Sequence, residues 1–160
     1  MMAEISELTP IATKLNRKSD QINRTITTIN QKLAKLNLGI EVWLDTPLSA
    51  EKWGEAEDVE LAKPWQLDDD GVRCREAFYL GYGRLGDKWE LLAKLVTEES
   101  QPDGTIVTVG EASRASVLKG TRNARLAVLE QLPALMDALK AEGERLLKLI
   151  DAGEKTAQSL

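Results

Sequence analysis

A seven-residue repeat near the amino terminus restricts the fold of this chain more than any other feature. Pairs of an apolar residue and an asparagine recur at Leu15-Asn16, Ile22-Asn23, Ile29-Asn30 and Leu36-Asn37. Ile26 and Leu33 fall four residues after two of these pairs, which gives the four-and-three spacing of a coiled-coil seam. The register extends toward the amino terminus through Ser19, Ala12 and Leu8. The pattern predicts a long amphipathic helix over residues 4–38 that needs a partner helix, with asparagines beside the seam to set register.

A second heptad seam occupies the last third of the chain. Its positions are Leu129, Leu132, Met136, Leu139, Gly143, Leu146, Ile150 and Gly153. This spacing predicts a long helix over residues 111–153, with a kink or a new segment at Pro133 and a frayed tail over 154–160. Two helices with matching seams at opposite ends of the chain most simply pair with each other. We therefore expect them to form an antiparallel coiled coil.

The segment between the two helices carries strand signals. Residues 39–44 alternate apolar and polar side chains, as a half-buried strand does, and residues 105–109 form a short strand after a Pro-Asp-Gly turn. The acidic tract 45–70 is expected to be a loop, with a short helix near 51–60. The sequence thus predicts one α+β domain over residues 1–160, with a small antiparallel sheet in a β-rich insert, 39–110.

Within the insert, Gly81, Gly83 and Gly86 spell G-x-G-x-x-G, the pattern of dinucleotide-binding loops. The competing interpretation is an antiparallel hairpin that turns at Gly86-Asp87. Its register pairs Arg84 with Trp89, Tyr82 with Leu91, Leu80 with Ala93 and Phe78 with Leu95, and it sorts apolar side chains onto one face. We favour the hairpin, because the chain lacks the alternating strands and helices of a nucleotide-binding fold. Gly81 and Gly83 then leave a shallow groove on the other face.

Composition excludes several kinds of chemistry. The chain has no histidine, which removes histidine bases and imidazole metal ligands, and its single cysteine, Cys74, excludes an intramolecular disulfide and sites with several thiolates. We expect no metal and no cofactor. The amino terminus does not resemble a signal peptide and no segment is apolar enough to span a membrane, so we expect a cytoplasmic protein without a membrane partner.

A basic segment, "SRASVLKGTRNAR", contains no acid although the net charge of the chain is -5. Its arginines Arg114, Arg122 and Arg125, together with Arg84 from the hairpin, form a candidate anion site. One interpretation pairs the basic segment with the acidic tract inside the protein. The other has it bind phosphate, an acidic partner or, less readily, nucleic acid, for which the amino-terminal helix adds further lysines and arginines.

Three tryptophans are candidate anchors for a protein partner: Trp43, Trp53 and Trp65. Together with the two seams, they favour a non-enzymatic interaction or assembly protein, adaptor-like or chaperone-like, that binds another protein or itself through a coiled-coil arm and a small sheet surface. The alternative is an anion-binding or nucleic-acid-binding module that uses the basic helix surface.

Overall fold

The computed structural model describes residues 2–48 and 65–160. Two long helices, α1 (Ile5–Leu36) and α2 (Arg122–Gln158), flank an antiparallel sheet in sequence, which confirms the α+β class. The strands are β1 (Val42–Trp43), β2 (Gln66–Leu67), β3 (Arg73–Leu85), β4 (Lys88–Ser100) and β5 (Ile106–Ser116). In the described residues, neither helix has an apolar stretch long enough to cross a bilayer.

The β3–β4 hairpin is the centre of the sheet, whose strand order is β1-β3-β4-β5 with β2 also paired to β3. Its register is the predicted one, from Arg84 opposite Trp89 to Phe78 opposite Leu95. The turn needs a positive φ, and Gly86 supplies it at +64°. The glycine motif therefore belongs to a hairpin, and the dinucleotide interpretation is wrong.

Both helices pack on the same face of this sheet. Phe78, Leu80 and Tyr82 of β3 are fully or almost fully buried there. The helices contribute Ile26 and Leu33 from α1 and Ala124, Ala127, Val128, Leu132, Leu135 and Leu139 from α2. Since the two seams meet the sheet as well as each other, the core consists of two layers, one of helices and one of strands.

The helices run in the same direction, so the expected antiparallel orientation is wrong. At the start of α2, Arg122 donates hydrogen bonds to the Ser19 hydroxyl and, at 3.4 Å, to Asn16 Oδ1 of α1. Further along α2, a Cβ on Gly143 would lie 3.8 Å from Ile40, which follows α1 by only a few residues. Heptad spacing determines which side chains face a partner helix but not the direction of that partner, and here the sheet directs both helices.

The carboxyl-terminal helix begins later than residue 111, where the sequence placed its start. Residues up to Ser116 continue β5 and pair with β4. The pairing shifts register between Leu95 and Thr97 of β4, and Gly110 of β5 has a φ of +72°. After a 3-10 turn, Val117–Lys119, the Thr121 hydroxyl accepts a hydrogen bond from the Ala124 amide and caps α2. Residues 111–116 include the helix formers alanine and arginine, but pairing with β4 decides their conformation and overrides this local preference. The helix passes through Pro133 and includes most of the expected frayed tail.

The acidic tract forms strand and turn structure where it is described. Leu48 bridges to Phe78 at the edge of β3, and β2 pairs with the beginning of β3. Asp68 Oδ1 accepts hydrogen bonds from the Asp70 and Val72 amides and closes the β2–β3 turn. The predicted helix near 51–60 lies outside the described residues.

Candidate functional site

The first turns of α1 extend past the start of α2. We call residues 5–18 the α1 arm. Its apolar side chains are exposed, at 86% for Ile5, 50% for Leu8, 54% for Ile11 and 43% for Leu15, whereas Ile26 in the same seam is exposed at 0%. The heptad register therefore continues into a segment that no described element covers. Exposed apolar stripes of this kind mark binding surfaces.

The opposite end of the helix pair carries further exposed apolar side chains. Leu147, Leu149 and Ile150 of α2 are exposed, beyond the point where Gly143 approaches Ile40. Because the helices are parallel, the α1 arm and the end of α2 extend from opposite ends of the pair. They therefore cannot cover each other within one chain.

The face of the sheet opposite the helices, the open face, carries Trp43. Its ring lies over Gly81, with Lys94 Nζ 4.5 Å and the Arg114 guanidinium 5.1 Å from the ring centroid. Arg114 also forms a 2.5 Å ion pair with Glu41. The indole thus fills the groove that the sequence predicted above Gly81, and its cation–π contacts are internal to the protein.

A second cluster surrounds Trp65 at the other end of the open face. The Arg75 guanidinium stacks 4.6 Å from the ring centroid, and Arg73 lies 5.6 Å from it. Arg75 also binds the Glu98 carboxylate at 2.8 Å through both Nε and Nη2, and the Tyr79 hydroxyl donates to Glu98 Oε1. This network was missed from sequence, although extending the hairpin register places Arg75 directly opposite Glu98.

Electrostatics on the open face follow from partial burial. Burial, together with the hydrogen bond and negative charge of Glu98, raises the pKa of Tyr79 to about 12. Burial and the neighbouring Arg114 charge lower the pKa of Lys94, and the negative charge of Glu41 partly offsets this shift. Because these groups face one another and are already paired, the open face is a structural network rather than a set of unpaired ligands.

The structure places the four candidate arginines in three separate locations. Arg114 lies on the open face, whereas Arg84 is at the hairpin turn, where its Nε donates to the Gly86 carbonyl at 2.9 Å. Arg122 and Arg125 lie at the start of α2, and Arg125 donates to the Gly120 carbonyl at 2.6 Å. Burial and the nearby Arg122 charge lower the pKa of Arg125. The arginines therefore do not converge on one anion.

The three candidate tryptophans also differ in position. Trp43 and Trp65 are half-buried on the open face and contact side chains of their own chain. Trp53 lies outside the described residues. In the described part of the chain, the large apolar side chains with the greatest exposure are those of the chain ends, the helices and Leu67 of β2, and the tryptophans are not among them.

A cavity of about 470 Å³ lies between the second half of α1 and the hairpin turn. Its lining includes Asn30, Tyr82, Lys88 and Trp89. Asn30 Oδ1 already accepts the Leu91 amide at 2.8 Å, and Tyr82 is almost completely buried. Asn30 and Tyr82 of the cavity lining therefore stabilise the fold.

Comparisons of the chain with protein-family models, with curated proteins and with solved structures found no significant match. The α1 arm is the surface whose geometry points to binding, because it combines exposed apolar side chains with a helix whose second half is fixed in the core.

Proposed function

We propose that this protein is a non-enzymatic interaction or assembly protein, and that its α1 arm binds another helix. The observation that supports this most directly is the continuity of one heptad seam from buried Ile26 to exposed Leu15 and Leu8. A seam of this kind accepts a partner helix by inserting its apolar side chains between those of the partner.

The energetics favour such binding. Burying one Leu or Ile side chain contributes roughly 1.5–3 kcal/mol. An isolated helix of about four turns is marginal in water, but the α1 arm continues a helix whose Ile26 and Leu33 are packed against the sheet. The arm is therefore partly ordered before a partner arrives, which reduces the entropic cost of association.

The alternative, an anion or nucleic-acid binder, has less support. Its four arginines are dispersed, and the described contacts of Arg84, Arg122 and Arg125 are to oxygens of the same chain. The open face remains a candidate for a secondary contact through Trp43 and Trp65, with the internal cation–π contacts competing for the same rings.

Site-specific photo-crosslinking in living cells tests the proposal. A photoreactive amino acid replaces Ile11 in the α1 arm, and a matched control replaces Arg17, which lies on the side of the arm away from the seam. We expect covalent protein adducts from position 11, few from position 17, and loss of the adducts when Leu8→Glu and Leu15→Glu are added. If position 11 gives no protein adduct, or the same adducts as position 17, the proposed function is wrong.

A further inference from the structure

We propose that the α1 arm binds the α1 arm of a second copy of this chain, antiparallel to it, about a two-fold axis beside Pro10. This inference rests on the proposed function and names the partner. Cyclic two-fold dimers are the commonest protein assemblies, and they require one surface patch that is complementary to itself. The α1 arm has that property in its apolar side chains and in its charges.

The apolar side chains of the two arms fit in this orientation. In an antiparallel pair centred at Pro10, Ile5 faces Leu15 of the second copy and Leu8 faces its Ala12. Two-fold symmetry repeats both pairs. A large side chain opposite a small one in the Leu8 layers allows the helices to approach closely, and each Ile5 layer buries two side chains that are exposed in the single chain.

Ile11 adds to the exposed apolar surface of the arm. It flanks the seam and is 54% exposed, and Leu8 and Leu15 of the seam are exposed as well. In the antiparallel pair, Ile11 is next to the two-fold axis and meets Ile11 of the second copy. Pro10 lies on the far side of the helix from the seam, so its ring stays out of the contact.

The charges of the arm are arranged for the same orientation. Glu4 caps α1 immediately before the arm and Glu7 lies in its first turn, whereas the last part of the arm carries Lys14, Arg17 and Lys18. Reversing one arm against the other places acidic turns beside basic ones, with Glu4 flanking the seam opposite Lys18 of the second copy. A parallel pair would instead place acidic turns together and basic turns together.

The body of the protein leaves space for the second arm. Leu15 is the last strongly exposed apolar seam residue before the start of α2, and the next seam position, Ser19, contacts Arg122 at the start of α2. The second arm would therefore end where α2 begins, with its acidic first turn near Arg122 and the positive end of the α2 helix dipole. The second arm thus lies where α2 would lie if that helix began earlier in the chain.

Sedimentation of the purified full-length protein over a range of concentrations tests this inference. We expect a monomer–dimer equilibrium that Leu8→Glu with Leu15→Glu abolishes. Lys18→Glu alone should weaken the dimer by about tenfold. Glu4→Lys should weaken it at least as much, because it also removes the capping contact of Glu4 with the Glu7 amide, and the double variant should bind more tightly than Glu4→Lys alone. Arg17→Glu, a matched charge reversal away from the seam, should change the affinity much less.

The outcomes separate this inference from the proposed function. A chain that stays monomeric up to about 1 mM overturns the inference, and the crosslinks from position 11 to a different protein would then leave the proposed function intact. A dimer that is no tighter in the Glu4→Lys, Lys18→Glu double variant than in Glu4→Lys alone overturns the antiparallel arrangement. A dimer unaffected by the Leu8 and Leu15 substitutions overturns the use of the α1 arm.

Discussion

The ring of Trp43 lies so close to Gly81 that a β-carbon on residue 81 would be 2.5 Å from Cδ2 and 2.7 Å from Cζ3 of the indole. The two residues are direct partners in the β1–β3 pair. Glycine at position 81 is thus explained by the close approach of a neighbouring strand's side chain, with no nucleotide required.

Replacing Gly81 with alanine should destabilise the protein by about 2 kcal/mol, because the rigid indole must move from its place between Lys94 and Arg114. Chemical denaturation monitored by tryptophan fluorescence measures both the stability loss and the altered Trp43 environment.

Gly83→Ala is the matched control. Its β-carbon would meet the flexible Glu41 carboxylate, 2.7 Å from Oε1, and that side chain can rotate away. Its cost should therefore be well below that of Gly81→Ala, and an equal cost for the two would show that strand conformation, rather than Trp43, requires glycine at both positions.

Asn30 should contribute to stability through the Leu91 amide. The pairing of β4 with β5 ends at Leu92, which lies opposite Ser116. The amide of Leu91, one residue earlier in β4, therefore has no partner in β5 and donates to Asn30 Oδ1 at 2.8 Å instead. Asn30→Ala should cost about 1–2 kcal/mol, because a partly buried amide loses its acceptor. Hydrogen exchange at Leu91 should become faster.

Asn30→Asp keeps an acceptor oxygen and should retain most of this protection, while Asn16→Ala, which loses only a 3.4 Å contact with Arg122, should cost little. If Asn30→Ala leaves the Leu91 exchange rate unchanged, the hydrogen bond has no role in stability.

The α1 seam should separate into a half that stabilises the fold and a half that does not. Ile26→Ala should cost about 3 kcal/mol, since this side chain is fully buried between the helices and the sheet. Leu15→Ala should cost less than about 0.5 kcal/mol in dilute solution, where the α1 arm is exposed. Thermal denaturation at low concentration measures both, and similar losses would contradict an arm that is separate from the core.

The hairpin register was predictable because turn chemistry and apolar alternation agree over many residues. A Gly-Asp turn fixes which residues face each other, and a shift of one position would break the pairing of apolar side chains such as Leu80 with Ala93 and Tyr82 with Leu91. The same register implied the Arg75–Glu98 pair. In contrast, the direction of α2 depended on how both helices meet the sheet, which no heptad pattern contains.

The candidate site was predictable only in part. The sequence showed that Leu8, Leu15, Ile26 and Leu33 share one seam, but not which of them the protein itself covers. That division depends on where α2 begins, and strand pairing of residues 111–116 shifted this point. Trp43 and Trp65 lie on the open face. The ring of Trp43 is engaged by Lys94, which is distant in sequence, and that of Trp65 by Arg75, which strand pairing brings back to it.

Tyr79 should make the protein less stable in alkaline solution. The fold raises its pKa from 10.0 to about 12, chiefly through burial and then through Glu98, so the folded state favours the protonated phenol. This contribution to stability is complete below pH 10, and it is lost as the pH rises from 10 through 12. The free energy of unfolding should therefore fall over that range, and less steeply for Tyr79→Phe.

Ultraviolet absorbance of tyrosinate provides the direct measurement. The chain has only Tyr79 and Tyr82, so the Tyr82→Phe variant reports Tyr79 alone. Glu98→Gln should lower the Tyr79 pKa toward its ordinary value while burial keeps it above 10.0. A Tyr79 titration that is the same in the folded and the denatured protein would contradict the contact with Glu98, and the open-face network would then lack one of its members.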